Sequence, residues 1–139
     1  MELGIPAEMR AWADGWWTTA GLGTGPVVAI HPGGGGGAPR WPVEQFAEVA
    51  RGLARRGVRM VVTGLEREAT AAVAEAAGSS AARLPAPGEP APPLMGLAAD
   101  LQRCAAFVGN STGPLHLAAA GGTPLVGLYP YDRVMSARR

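Results

Sequence analysis

Residues 107–130 read FVGNSTGPLHLAAAGGTPLVGLYP, and this stretch decides the fold. It begins as a buried apolar strand, turns through small residues, opens a short alanine-rich helix and ends in a second apolar strand. A strand feeding directly into a helix N-terminus builds an anion site, because the first backbone N–H groups of a helix have no partner and the helix dipole is positive at that end. Ser111, Thr112 and Gly113 fall in the turn and His116 in the first turn of the helix. Hydroxyls, bare backbone and an imidazole thus converge where a diphosphate would lie.

Working outward, the same alternation repeats upstream. Val27–His31 is a β-branched apolar run, the type of strand that is buried on both faces. Residues 32–39 form a glycine loop, and Pro42 suits the first position of the helix expected over residues 43–56. In that helix Phe46, Val49, Ala50 and Leu53 recur at helical spacing, Glu44 comes early, Arg55 late, and Gly57 follows the end. A strand is expected over residues 58–63, a helix over 66–77 closed by Gly78, a weak strand over 82–84, and a helix over 94–104. The five prolines between Pro85 and Pro93 confine that segment to a surface loop. The strand at 105–109, the helix at 114–120 and the strand at 125–129 complete the pattern. Residues 1–25 read as a lead-in and linker, with Trp12, Trp16 and Trp17 on a short amphipathic segment that packs on core, against a missing or adjacent domain, or serves as a partner surface. Residues 26–139 form the α/β domain.

Strand–helix alternation with short connections predicts an α/β fold, a Rossmann-like parallel sheet flanked by helices. Ligands of such sheets sit beyond the carboxyl ends of the strands. Three loops emerge there. The first carries five consecutive glycines and then Arg40, whose forked and permanently charged guanidinium suits phosphate. His31 opens that loop and is expected to be a packed histidine outside the site. No GK[ST] follows the glycines, so this is not a Walker-type phosphate loop, and Pro39 and Pro42 spoil the helix a dinucleotide fingerprint should open. The second loop, Thr63–Glu68, offers two carboxylates, of which one can accept from ribose hydroxyls; both also suit the start of a helix. The third is Asn110–His116.

Bulk composition narrows the rest. The protein has 139 residues, 47% of them hydrophobic and 17% charged, which fits one folded domain. Its net charge of +1 comes with twelve arginines and no lysine, and no basic stripe marks a nucleic-acid partner. One cysteine, Cys104, and two histidines cannot build a disulfide framework or a zinc cluster, so no metal and no cofactor is expected. Cys104 reads as a small buried hydrophobe. No apolar run reaches membrane-spanning length and no secretory leader is evident, so a cytoplasmic location is expected, with room for peripheral attachment of a full enzyme to the inner membrane face.

The segment GNSTGPLHLAAAGGTPLVGLY (109–129) resembles the GN-D/S-S/T-GPxHLAAAxGTPxVxLF block of family 9 glycosyltransferases, the bacterial heptosyltransferases. The upstream run VVAIHPGGGGGAPRWPVEQFAEVARGLARRGVRMVVTGLERE (27–68) resembles the same family's HPG…K/RxWPxExFAxLA…VVLTG…E block. The resemblance implies the C-terminal, donor-binding half of a GT-B fold. It implies a nucleotide-diphospho-sugar donor, ADP-heptose in the family, and a lipopolysaccharide core or other glycan or lipid-linked acceptor. It assigns donor binding to Arg40, Glu68 (with Glu66 second), Ser111, Thr112, Gly113 and His116. Arg40 stands where the family often has Lys, and Ser111 where it often has Asp, which removes a charge from the site. The general base belongs to the family's N-terminal domain, so no catalytic residue is expected in this chain, and the chain is expected to be a fragment or truncated product of a longer enzyme. A nucleotide-sugar binding module without turnover and a GT-B-like UDP-sugar epimerase are the alternatives.

Overall fold

The computed structural model describes residues 4–33, 41–110 and 113–128. Five parallel strands, β1 (Val27–His31), β2 (Arg59–Thr63), β3 (Ala81–Leu84), β4 (Ala106–Asn110) and β5 (Leu125–Leu128), form one sheet in the order β3-β2-β1-β4-β5. Five helices accompany them: α1 (Ala7–Ala20), α2 (Val43–Arg55), α3 (Arg67–Ala77), α4 (Leu94–Arg103) and α5 (Gly113–Ala120). The Rossmann-like parallel sheet expected from the sequence is therefore present, and its strand order reverses between β1 and β4.

Strand alternation divides the core into two layers. Val27 and Ala29 of β1 and Val61 of β2 face one cluster with Leu101, Phe107, Leu115 and Ala118. Ile30, Met60 and Val62 face the other, with Phe46 and Ala50 of α2 and Val73 and Ala77 of α3. The side-chain period of two along a strand, applied to β-branched and apolar runs, gives each face its own helices. β3 is the weakest strand by composition, yet it pairs with β2 from Met60↔Ala81 to Thr63↔Leu84, so sheet pairing supplies what its propensity lacks.

Element boundaries depart from the sequence reading by small steps with local causes. Pro42 is extended (ψ 145°) and caps α2 from outside; its carbonyl accepts from Gln45 and Phe46, so the helix proper starts at Val43. Likewise Glu66 is the cap of α3, and the helix begins at Arg67.

The tryptophan-rich lead-in is a full helix of the same packed body. α1 starts after Pro6, ends at Gly21 and lies on α4. Trp17 is buried in the core layer shared with Leu101 and Phe107; its indole N–H donates to the Gly23 carbonyl (3.0 Å) and the Arg103 guanidinium lies 4.7 Å from its ring centre. Arg103 also pairs with Asp14. Trp12 fits only because residue 96 is glycine: a Cβ at Gly96 would come within 2.7 Å of its ring.

One buried group in α4 works against this packing. Asp100 is fully buried and neither carboxylate oxygen has a hydrogen-bond partner among the described residues. Burial raises its pKa from 3.8 to about 7; Arg103 opposes the shift and Asp14 adds to it. The folded state therefore holds this proton more tightly than the unfolded polypeptide. The stability that results is complete below pH 3.8 and is lost as pH rises through about 7. Comparing urea midpoints at pH 5 and pH 8, the native protein should lose roughly 1–3 kcal/mol more than the Asp100→Asn variant. Equal losses in the two proteins would show that Asp100 does not titrate in this range.

Candidate functional site

The carboxyl ends of the strands converge on a cavity of about 430 Å³. Its walls come from β1 (His31, followed by Gly33), the β2 tip (Thr63, Gly64, Leu65, Glu66), Leu84 and Pro85 after β3, the proline-rich connection (Ala91, Pro92), α4 (Leu94, Leu97) and Pro114 of α5. Most of this lining is apolar, and two leucines stand open to solvent at it, Leu65 at 70% and Leu94 at 67% exposure. Exposed leucines flanking a hollow are a feature of ligand clefts, where a flat apolar group can be enclosed. Among the described residues the polar ones that line it are few: His31, Thr63 and Glu66.

A second hollow, more open and larger at about 540 Å³, adjoins it, lined by Trp41, Pro42 and Val43 from the start of α2 and by Glu66, Arg67, Glu68 and Ala69. Glu66 lines both. Its backbone is held firmly. The Thr70 N–H and the Thr70 hydroxyl both donate to the Glu66 carbonyl (3.0 and 3.1 Å), and the same hydroxyl accepts from Arg83 of β3 (3.0 Å).

The turn into this segment requires glycine. Gly64 has φ +136°, a region that side chains strain to occupy, and a Cβ there would lie 3.3 Å from the His31 ring and 3.4 Å from Thr70. The His31 ring also lies 3.4 Å from the Cβ position at Gly33, so one imidazole is seated between two backbone turns and stacked towards Phe107. Its Nδ1 is buried and has no hydrogen bond of normal geometry among the described residues. Burial pushes its pKa below 6.5, and the Thr63 backbone and the Glu66 charge oppose this without reversing it.

The residues anticipated from the sequence divide accordingly. Arg40, Ser111 and Thr112 lie outside the described residues. Gly113 is the first residue of α5 and is exposed, and α5 reaches the main cavity through Pro114. His116 is exposed on α5 and lines neither hollow. Glu68 lines the second hollow and Glu66 both. His31, expected to stand apart from the site, is part of the cavity wall. Its position as the last residue of β1, at the carboxyl edge where ligands of parallel sheets bind, was the signal that places it there. Asn110 was also passed over. It is buried at the end of β4, and its side-chain amide accepts from the Trp41 N–H (2.9 Å) and donates to the Gly33 carbonyl (3.4 Å). Among the described residues no cluster of His, Cys, Asp or Glu is arranged to hold a metal ion, and no helix is long and apolar enough to cross a membrane.

Comparison with known proteins agrees with this fold. The family model Glycosyltransferase family 9 (heptosyltransferase) matches residues 9–136. A Haemophilus influenzae protein named as a glycosyltransferase is 32% identical over 113 residues, 81% of this chain and 32% of its own length. The crystal structure of a family 9 glycosyl transferase from Veillonella parvula superposes with a TM-score of 0.78 at 30% identity, over 95% of this chain and 38% of that one. The ADP-heptose LPS heptosyltransferase II of E. coli superposes with a TM-score of 0.73 at 26% identity, over 94% of this chain and 40% of that one. The chain thus spans about a third of the length of the curated relative (32%) and about two fifths of these solved neighbours (38% and 40%).

Two outcomes follow from the seat of His31. In an NMR titration its imidazole should protonate below pH 6.5; a midpoint above that value would show that solvent reaches the ring. Gly64→Ala should cost about 1–3 kcal/mol in denaturant unfolding. A loss below about 0.5 kcal/mol would mean that the turn relaxes freely.

Proposed function

The chain belongs to glycosyltransferase family 9, the heptosyltransferases, and from that premise we propose that it is the donor-binding domain of a GT-B glycosyltransferase. Its ligand on this reading is a nucleoside diphospho-sugar of the ADP-heptose type. The sugar, heptose or a close relative, passes to a lipopolysaccharide core or another glycan or lipid-linked acceptor, at the cytoplasmic face of the membrane. The observation that carries the reading is the cavity at the carboxyl ends of β1, β2 and β3, entered from the other side of the strand-order reversal by the first turn of α5.

Within that cavity, Leu65, Pro92 and Leu94 suit the faces of a nucleobase. Glu66 suits the ribose, because a carboxylate accepts from two vicinal hydroxyls at once. It is favoured for this over Glu68, which faces only the second hollow. The diphosphate then extends towards the start of α5, where Gly113 is exposed and carries no side chain and the helix dipole favours negative charge. Arg40, Ser111, Thr112 and His116 complete the diphosphate clamp by their match to the family motif.

The chemistry asked of these groups is electrostatic. As the acceptor hydroxyl attacks the anomeric carbon, the bond to the diphosphate breaks and negative charge grows on the leaving oxygens. Donors fixed in advance around those oxygens lower the barrier without having to reorganise. The proton of the attacking hydroxyl goes to a general base. In the family that base is an Asp of the partner domain, and the proposal assigns no residue of this chain to the step. His31, neutral at physiological pH by its lowered pKa, adds no positive charge to the base and ribose end of the cavity.

Calorimetry tests the reading. ADP should bind with a Kd between millimolar and micromolar, about −4 to −8 kcal/mol. UDP should compete less well by about tenfold, and the reverse order would favour an epimerase-like relative. Glu66→Gln should weaken ADP binding about five- to tenfold, with Glu68→Gln nearer to the native protein. No heat and no NMR shifts with any nucleoside diphosphate would end the proposal.

A further inference from the structure

Asn110 closes β4 with only 3% of its surface exposed, and its amide reaches outside its own strand at both ends. Oδ1 accepts from the Trp41 N–H at 2.9 Å, and Nδ2 donates to the Gly33 carbonyl at 3.4 Å. Neither bond belongs to a helix or to a sheet ladder. Gly33 is wall to the main cavity, Trp41 is wall to the second one, and Glu66 lies in both. The two tethered points also stand on either side of the β1–α2 connection, and both are tied to the tip of β4, across the reversal of strand order.

The side-chain chemistry suits the task. A primary amide offers an acceptor and a donor in one rigid plane, so one residue can satisfy a backbone N–H and a backbone carbonyl together. Aspartate would keep the acceptor and lose the donor. Alanine would remove both bonds, and a backbone group left unpaired away from water costs about as much as a lost hydrogen bond.

We propose that Asn110 is a positioning residue for the ligand site: it sets the separation of Gly33 and Trp41 and thereby the shape of the hollows on either side of Glu66. The inference rests on the reading that a nucleoside diphosphate occupies the main cavity. Asn110 acts through the two backbone groups it holds, and the ligand senses it indirectly.

The test compares Asn110→Ala and Asn110→Asp with the native protein by amide hydrogen exchange and by ADP calorimetry. Exchange at the Trp41 amide should speed up by about tenfold or more in Asn110→Ala and stay near native in Asn110→Asp, which keeps that acceptor. ADP affinity should fall about tenfold in Asn110→Ala and less in Asn110→Asp. A purely structural role would instead raise exchange across all core amides together and leave the ADP affinity of the folded protein unchanged. An unchanged Trp41 rate, or native ADP affinity in folded Asn110→Ala, overturns the inference. If Asn110→Ala does not fold, Asn110→Asp decides it: native Trp41 exchange with weakened ADP binding supports the role, and native values for both refute it. If the native protein itself binds no ADP, the ligand reading fails, and the exchange data alone still show whether Asn110 holds Trp41.

Discussion

β1 is hydrogen-bonded along both edges, to β2 and to β4, and its side chains are covered on both faces. That double burial is the constraint on which the molecule is built. A strand enclosed in this way is apolar up to its tip, has parallel neighbours joined through crossover helices, and delivers its carboxyl end to the same edge as theirs. The cavity exists because the ends of β1, β2 and the edge strand β3 stop side by side while α4 and α5 stand over them. Its composition follows as well. The floor is strand tip, hence largely apolar, and polar function has to come from the residues at and just beyond each strand end: His31, Glu66 and, across the reversal, Asn110.

Those residues are where local backbone geometry does the positioning. Gly64 bends the backbone sharply enough to set Glu66 at the boundary of two hollows, and the Thr70–Arg83 pair fixes the carbonyl of that residue from behind. The His31 ring fills the space that side chains at Gly33 and Gly64 would need. On the proposed reading, family membership suggests the class of ligand, and this arrangement suggests which groups of the molecule would meet it.

Much of the fold was legible because strong local signals agreed with one another. The β-branched runs of β1 and β2, the periodic face of α2 and the strand–turn–helix of β4 and α5 each stood within a residue or two of their observed limits. β3 was faint because Ala81, Ala82 and Arg83 carry little intrinsic preference, and its pairing with β2 is not a local property. α1 was read only as a short docking segment. Its bounds, Pro6 and Gly21, are ordinary helix punctuation, but the contact that defines it, Trp12 over Gly96, joins residues far apart in the sequence. At the site, the described residues place Glu66 at both hollows and Glu68 at one. Counting from a glycine cannot tell Glu66 from Glu68, because successive residues entering a helix turn by about 100° and one residue's shift in the cap redirects them. Nor does any pattern reveal that an asparagine at a strand end will span two backbone groups.

The strand at the centre of the sheet is also the earliest in the sequence, while its second neighbour, β4, comes only after β2 and β3. On the ribosome, β1, β2 and β3 with their two helices emerge as a contiguous half-sheet, with one flank of β1 still waiting for Ala106–Gly109. Until that segment is synthesised, this apolar strand offers an open edge to whatever lies nearby. The order of synthesis thus leaves the central strand half-paired until the fourth strand of the sheet emerges.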